Sequence, residues 1–122
     1  MTETDRILVV EDEPLVSEII AAALEDTYAT TVVDTAEKAI EQLRTGTFRL
    51  MLLDCSLPDG SEVDLIPEAD SAGTAVILMS GDPARMAALT DRPRPFLQKP
   101  FALSGLLDAV ETVLAATTSG TV

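Results

Sequence analysis

The chain has 122 residues, 21 of them acidic and 8 basic, giving a formal charge of −13. That length suits one ordinary domain and not two, and a charge of this sign repels nucleic-acid phosphates and anionic lipid headgroups, so composition argues against direct nucleic-acid binding and membrane attachment. Histidine is absent and a single cysteine is present, which removes His-based acid–base catalysis, His metal ligation and an internal disulfide, and leaves carboxylates, hydroxyls and lysine for any chemistry.

The apolar fraction is 47%, with only three Phe and one Tyr, so the core is expected to be aliphatic. A chain of this size buries roughly two-thirds of its unfolded surface and needs no disulfide or structural metal. The opening Met1-Thr2-Glu3-Thr4-Asp5 lacks the basic and apolar regions of a secretory signal, and no apolar run approaches bilayer-spanning length. A soluble, cytoplasmic protein is the expectation.

In chain order, Ile7-Leu8-Val9-Val10 is a short apolar, largely β-branched run that ends in Glu11-Asp12-Glu13, and it reads as a strand buried on both faces. Pro14 suits a first helical turn, and Leu15, Val16, Ile19, Ile20, Ala23 and Leu24 recur at helical spacing. A second strand is expected around Tyr28 to Val33. Asp34 or Thr35 then caps a helix carrying Ala36, Ala39, Ile40 and Leu43, closed by Gly46. Leu50-Met51-Leu52-Leu53 is the third apolar run and also ends in a carboxylate, Asp54. After the turn residues Pro58-Asp59-Gly60 a helix is expected from near Ser61, broken early or kinked by Pro67.

Ala75 to Met79 forms the fourth strand, and Ser80-Gly81 precedes Asp82-Pro83, a helix start that Pro93 and Pro95 soon end. Phe96-Leu97-Gln98 is a short fifth strand running into Lys99-Pro100. The last helix carries Leu103, Leu106, Leu107, Val110, Val113 and Leu114, and residues 117–122 are expected to fray. Strands alternating with helices imply an α/β fold, a doubly wound five-stranded parallel sheet covered on both faces. Its functional crevice is expected beyond the carboxyl ends of the strands, where the strand order switches.

Four of those strand ends carry chemistry: Glu11 and Asp12, then Asp54, then Ser80, then Lys99. Carboxylates about 5 Å apart repel by roughly 3 kcal/mol per pair at an effective dielectric of 20, so such a cluster calls for a compensating cation. Lys99 and a divalent metal supply it, and all-oxygen ligation suits Mg²⁺ better than Zn²⁺. The chemistry that fits is phosphoryl transfer onto a carboxylate, where positioning and cationic stabilisation do most of the catalysis. Asp54 is then the nucleophile, Glu11 and Asp12 hold Mg²⁺ directly or through water, Lys99 pairs with a phosphoryl oxygen, and the Ser80 hydroxyl donates to another. Gly81 leaves room for the group to approach.

Over residues 5 to 115 the chain resembles a response regulator receiver domain of two-component signalling, of the single-domain, chemotaxis-regulator-like kind. The resemblance rests on Ile-Leu-Val-Val-Glu-Asp-Glu-Pro, on Leu-Leu-Asp54-Cys-Ser-Leu-Pro58-Asp-Gly60, on Ser80-Gly81, and on Phe96-Leu-Gln-Lys99-Pro100-Phe101. It implies a flavodoxin-like fold with strand order 2-1-3-4-5, one receiver domain over 1–122, and phosphorylation of Asp54 rather than an enzyme acting on other molecules. It implies that the Ser56 backbone carbonyl completes the metal site and that the Lys99-Pro100 bond is cis. It also implies a switch in which Ser80 moves toward the phosphoryl group and Phe96 rotates inward, reshaping the face of the fourth helix, fifth strand and fifth helix. The implied partners are a histidine kinase or phosphotransfer protein upstream and an unknown protein target downstream, the domain being a monomer or a phosphorylation-dependent dimer. Phe96 lacks the hydroxyl of the Tyr often found there, Ala102 is a poor helix cap, and the segment between Ser80 and Lys99 is short for the family.

Plainer readings exist for each residue. Glu11 and Asp12 also favour the positive end of the following helix, Asp54 alone is a turn residue, Ser80 and Gly81 can simply end a strand, and Phe96 can be a core aromatic. Cys55 reads as a small buried hydrophobe, and Glu62, Asp64, Glu68 and Asp70 as a solvated face. Among rival functions, an aspartyl-nucleophile phosphatase generally wants a second Asp two positions after the nucleophile, where Ser56 stands. A flavin-binding module wants a phosphate-cradling loop after the first strand, where Glu11-Asp12-Glu13 repels phosphate. A receiver-like scaffold that never takes phosphate is disfavoured by intact Asp54 and Lys99.

Overall fold

The computed structural model describes residues 5–57, 62–82, 84 and 94–119. Its elements are β1 (Arg6–Val10), α1 (Pro14–Leu24), β2 (Ala29–Val33), α2 (Ala36–Thr45), β3 (Leu50–Asp54), α3 (Glu62–Ser71), β4 (Ala75–Ser80), β5 (Phe96–Gln98) and, as the last helix, α4 (Leu103–Ser119). The five strands form one sheet in the order β2-β1-β3-β4-β5, and every pairing is parallel. The expected turn at Pro58-Asp59-Gly60, the helix start at Ser61 and the helix expected between Pro83 and Pro93 lie outside the described residues.

The central strands are buried on both faces, and their uniform apolar runs conceal a period of two. Leu8, Val10, Met51, Leu53, Val76 and Leu78 point to the side covered by α2 and α3, where Ala39, Leu43, Leu65, Ile66 and Ala69 meet them. Ile7, Val9, Leu50, Leu52, Ile77 and Met79 point to the side covered by α1 and α4, where Ile20, Leu24, Leu106, Val110 and Leu114 meet them. Each fully buried Leu or Ile stabilises the fold by roughly 2 kcal/mol, so the four residues before Asp54 anchor that carboxylate on the most deeply buried strand of the sheet.

Local signals explain most of the helix ends. Pro14 stands in the first turn of α1. Thr35 caps α2 by accepting a bond from the Lys38 N–H at 3.2 Å, which decides between the two candidate caps, and the Gly46 N–H closes that helix on the Gln42 carbonyl. Two expectations fail. The third helix is neither stopped nor shortened at Pro67 but runs ten residues to Ser71, because Leu65, Ile66 and Ala69 pack into the core on either side of the proline and offset the single backbone bond it cannot donate. The last helix extends to Ser119 instead of fraying from Thr117.

Not all of the periodic apolar residues of α1 are interior. Val16, Ile20, Ala23 and Leu24 face the sheet or α4, whereas Leu15 is 75% and Ile19 is 53% exposed. No described helix is long and apolar enough to cross a membrane.

Candidate functional site

The sheet register builds the site. Val10 of β1 lies opposite Leu53 of β3, so one step further along both strands brings Glu11 opposite Asp54 at the point where the strand order turns from β1 outward to β2 on one side and β3 on the other. Asp54 lies opposite Met79 of β4, with Ser80 next. Beyond the β4–β5 ladder the Lys99 N–H donates to the Ser80 carbonyl at 2.9 Å. Residues separated by up to 88 positions thus share one carboxyl-terminal edge.

Glu11, Asp12 and Asp54 each offer a carboxylate oxygen, and the three oxygens lie within 4.8 Å of one another. Glu11 and Asp54 are buried. The Lys99 ammonium reaches both, 2.7 Å from Glu11 Oε1 and 3.5 Å from Asp54 Oδ1. Its shorter bond goes to Glu11 rather than to Asp54. Asp54 is held instead by Ser56, whose N–H donates to Oδ1 at 3.0 Å and whose hydroxyl donates to the same oxygen at 2.7 Å.

These contacts set the protonation states. Burial, then the neighbouring Asp54, pushes the Glu11 carboxyl up to about 7 against the pull of Lys99. Burial and Asp54 raise Asp12 as well. Burial also acts to raise Asp54, but hydrogen bonding with Glu11, Ser56 and Asp12 outweighs it and leaves Asp54 below its ordinary value. Lys99 is disfavoured as a cation by burial, yet the bond to Glu11 and the charge of Asp54 prevail and raise it. The cluster therefore keeps Asp54 ionised at the expense of Glu11, which shares the proton burden.

The set fits a hard divalent cation. Three carboxylates whose oxygens lie within 4.8 Å of one another supply the hard oxygen donors that Mg²⁺ favours, while Lys99 offsets part of their mutual repulsion. No sulfur or imidazole donor competes: the sequence has no histidine, and the buried Cys55 Sγ lies 3.9 Å from the Leu53 carbonyl instead.

Other anticipated residues are placed as follows. Ser80 is buried at the end of β4, where its hydroxyl accepts from the Asp82 N–H at 2.9 Å and donates to the Asp82 carbonyl at 3.3 Å. A Cβ at Gly81 would meet only the Lys99 carbonyl, at 3.8 Å, so space alone does not demand glycine there. Phe96 is 57% exposed, which excludes the core-aromatic reading. The Lys99-Pro100 bond is cis. Sequence reasoning missed the Ser56 hydroxyl, having counted only that residue's carbonyl; a hydroxyl two positions after a strand-end aspartate, able to fold back on it as in an Asx turn, was the available signal.

Residues 7–111 match the family model described as the response regulator receiver domain. The chain belongs to that family. Receiver domains are phosphoacceptor signalling domains of two-component systems, phosphorylated by histidine kinases, and this one carries the acidic cluster typical of their phosphorylation site. Among relatives, the transcriptional regulatory protein BasR of Escherichia coli is 32% identical over 115 residues, covering 89% of this chain and 52% of the relative. The chain spans about half the length of the curated relatives it matches.

Solved receivers superpose along almost the whole chain. A CheY-like response regulator receiver domain protein from Methanospirillum hungatei gives a TM-score of 0.84 at 22% identity, covering 97% of this chain and 99% of that one. The receiver domain of the sensor histidine kinase PA1611 from Pseudomonas aeruginosa, which has a magnesium ion coordinated in its active site cleft, gives 0.81 at 23% identity over 93% and 99% of the two chains.

Proposed function

We propose that residues 1–122 act as a single phosphoacceptor receiver, taking a phosphoryl group on Asp54 and signalling through altered protein binding. The observation that carries this reading is the convergence of Lys99 on an ionised, buried Asp54 beside two further carboxylates. Glu11, Asp12, Asp54 and the Ser56 backbone carbonyl are the residues proposed to hold Mg²⁺, which when bound supplies charge neutralisation for the phosphoryl oxygens. Asp54 attacks phosphorus in line. Lys99 swings between Glu11 and a phosphoryl oxygen, its stem being anchored at the end of β5. The Ser80 hydroxyl exchanges its bonds to Asp82 for one to the phosphoryl group, and the exposed Phe96 turns inward behind it.

The upstream partner is a histidine kinase or phosphotransfer protein, and the downstream partner is a protein rather than nucleic acid, given the charge of −13. The domain has no activity on other substrates in this reading; self-phosphorylation from small donors and self-hydrolysis are its chemistry, in the cytoplasm. The test is intact mass after incubation with acetyl phosphate and Mg²⁺, beside Asp54→Asn. The wild type is expected to gain one base-labile phosphoryl adduct and Asp54→Asn none. An unmodified wild type, or an unchanged adduct in Asp54→Asn, overturns the assignment.

A further inference from the structure

The two edges of the sheet are not alike. β5 is three residues long, with Pro95 before it and the cis Lys99-Pro100 bond after it, and a short strand bounded by proline resists further pairing. β2, the opposite edge, has five residues, Ala29-Thr30-Thr31-Val32-Val33, with no charge or proline among them. The Ala29 N–H donates to the Asp5 carbonyl at 2.9 Å, and the Val33 carbonyl accepts from the Glu11 N–H at 3.1 Å. Backbone groups alternate along a paired strand, so Ala29, Thr31 and Val33 turn theirs toward β1. Those of Thr30 and Val32 point outward, and among the described residues no backbone bond reaches them. The Val32 side chain is itself 42% exposed. An edge of this kind lacks the charges and prolines that ordinarily block strand addition.

The edge also complements itself. We propose that β2 pairs antiparallel with β2 of a second copy of this chain, joining two five-stranded sheets into one without phosphorylation. This goes beyond the phosphoacceptor reading and does not depend on it. A twofold axis through Thr31 sets Thr30 of each copy opposite Val32 of the other, and the two residues of each pair exchange both of their outward backbone bonds. Thr31 then faces its own counterpart at the close, non-hydrogen-bonded position. Asp34, the one charged residue between Thr27 and Thr35, faces Tyr28 of the other copy and keeps its own Lys38 at 2.9 Å. No like charges therefore oppose one another along the pairing. Registers displaced by two residues fit less well. One sets Val32 against Tyr28, whose N–H already donates to the Leu24 carbonyl at 2.8 Å, and the other sets Thr30 against Asp34, outside the strand. A second copy is thus the occupant whose register this sequence supplies. The formal charge of −13 on each copy opposes association, so the dimer tightens as salt screens that repulsion, the reverse of an interface held by ion pairs.

The experiment is sedimentation velocity on the unphosphorylated, metal-free protein, with Thr31→Lys, Thr31→Glu, their equimolar mixture and Thr31→Cys as probes of the register. Wild type is expected to pass from monomer to dimer with a midpoint on the order of 0.1 mM, at the weak end for specific interfaces, and the midpoint is expected to fall severalfold as NaCl is raised from about 0.05 to 0.5 M. Thr31→Lys and Thr31→Glu each place like charges face to face and are expected to raise the midpoint at least about tenfold, while the mixture restores association. Thr31→Lys lowers the net charge, so general repulsion does not account for its loss of dimer. At the axis the two Cα atoms of an antiparallel pair stand about 4.5 Å apart, within disulfide reach. Thr31→Cys is therefore expected to form a covalent dimer on mild oxidation and Ala29→Cys, which faces Val33 of the other copy, is not; Cys55 is buried and takes no part. A wild type that stays monomeric to about 1 mM at high salt overturns the proposal and leaves the edge to an extended segment of another protein. Dimers that persist in both single charge variants, a mixture that stays monomeric, or Ala29→Cys cross-linking as fast as Thr31→Cys overturn it equally.

Discussion

Glu11→Gln removes one ionisable group from a cluster of three carboxylates, two of them buried, and is expected to make stability far less sensitive to pH between 5 and 8. In the folded protein the Glu11 carboxyl sits at about 7 instead of 4.5, through burial first and then the proximity of Asp54. One pKa unit corresponds to about 1.4 kcal/mol, so ionising Glu11 disfavours the folded state by about 3 kcal/mol relative to the unfolded chain. Coulomb's law gives a figure of the same size, about 3 kcal/mol for two unit charges at the 4.8 Å limit of the cluster and an effective dielectric of 20. The folded state holds a proton that the unfolded state has released. Its contribution is therefore complete below pH 4.5 and disappears as pH rises through 7, with about 2–3 kcal/mol of it vanishing between pH 5 and 8. Asp54, whose value is lowered, acts in the opposite sense and only below about pH 4, outside that window. Gln keeps an oxygen for Lys99 while losing the titration. Urea unfolding followed by far-ultraviolet circular dichroism in metal-free buffer at pH 5 and pH 8 should show the stability advantage of Glu11→Gln growing by about 2–3 kcal/mol. Parallel stability curves for the two proteins would refute the claim that Glu11 bears the electrostatic load of the site.

Lys99→Met should lower stability at pH 8 by about 3 kcal/mol, because it strips the cation from two buried carboxylates; the same unfolding measurement reads it, and a change under 1 kcal/mol would contradict the pairing. That variant should also form the Asp54 adduct at least about a hundredfold more slowly, the size of effect seen when one charge-stabilising donor is removed from a reaction centre. Thr35→Ala removes the cap of α2 and should reduce stability by about 1 kcal/mol, without altering the rate at which acetyl phosphate modifies the protein, since Thr35 lies outside the carboxylate cluster.

Receiver function of this kind also explains why the site is built against stability. Three acids crowded at one sheet edge gain nothing for the fold, and the apolar strands behind them supply the free energy that tolerates the repulsion. The same strands explain the placement of Asp54: it terminates β3, which is buried along its whole length, so the carboxylate is anchored on a fully buried strand at the carboxyl-terminal edge of the sheet.

Much of this protein is written locally. The runs Ile7–Val10, Leu50–Leu53 and Ala75–Met79 become strands because continuous aliphatic segments of that length have no other way to hide both faces between helices, and the carboxylates, hydroxyl and lysine that follow them are carried to one edge by parallel pairing. Composition and order along the chain therefore sufficed to name Glu11, Asp12, Asp54, Ser80 and Lys99 as neighbours. Tertiary packing decided the rest. Helical spacing marks Leu15 and Ile19 as firmly as Val16 and Ile20, yet α4 and the sheet cover only the second pair, because a helix lying on a sheet buries one stripe and its apolar width does not reveal where that stripe ends. Pro67 reads as a helix breaker until the burial of Leu65, Ile66 and Ala69 is weighed against one missing bond. The choice of Lys99 for Glu11 over Asp54 depends on a difference of less than 1 Å between atoms on separate segments, and separations on that scale arise only when the whole sheet is assembled.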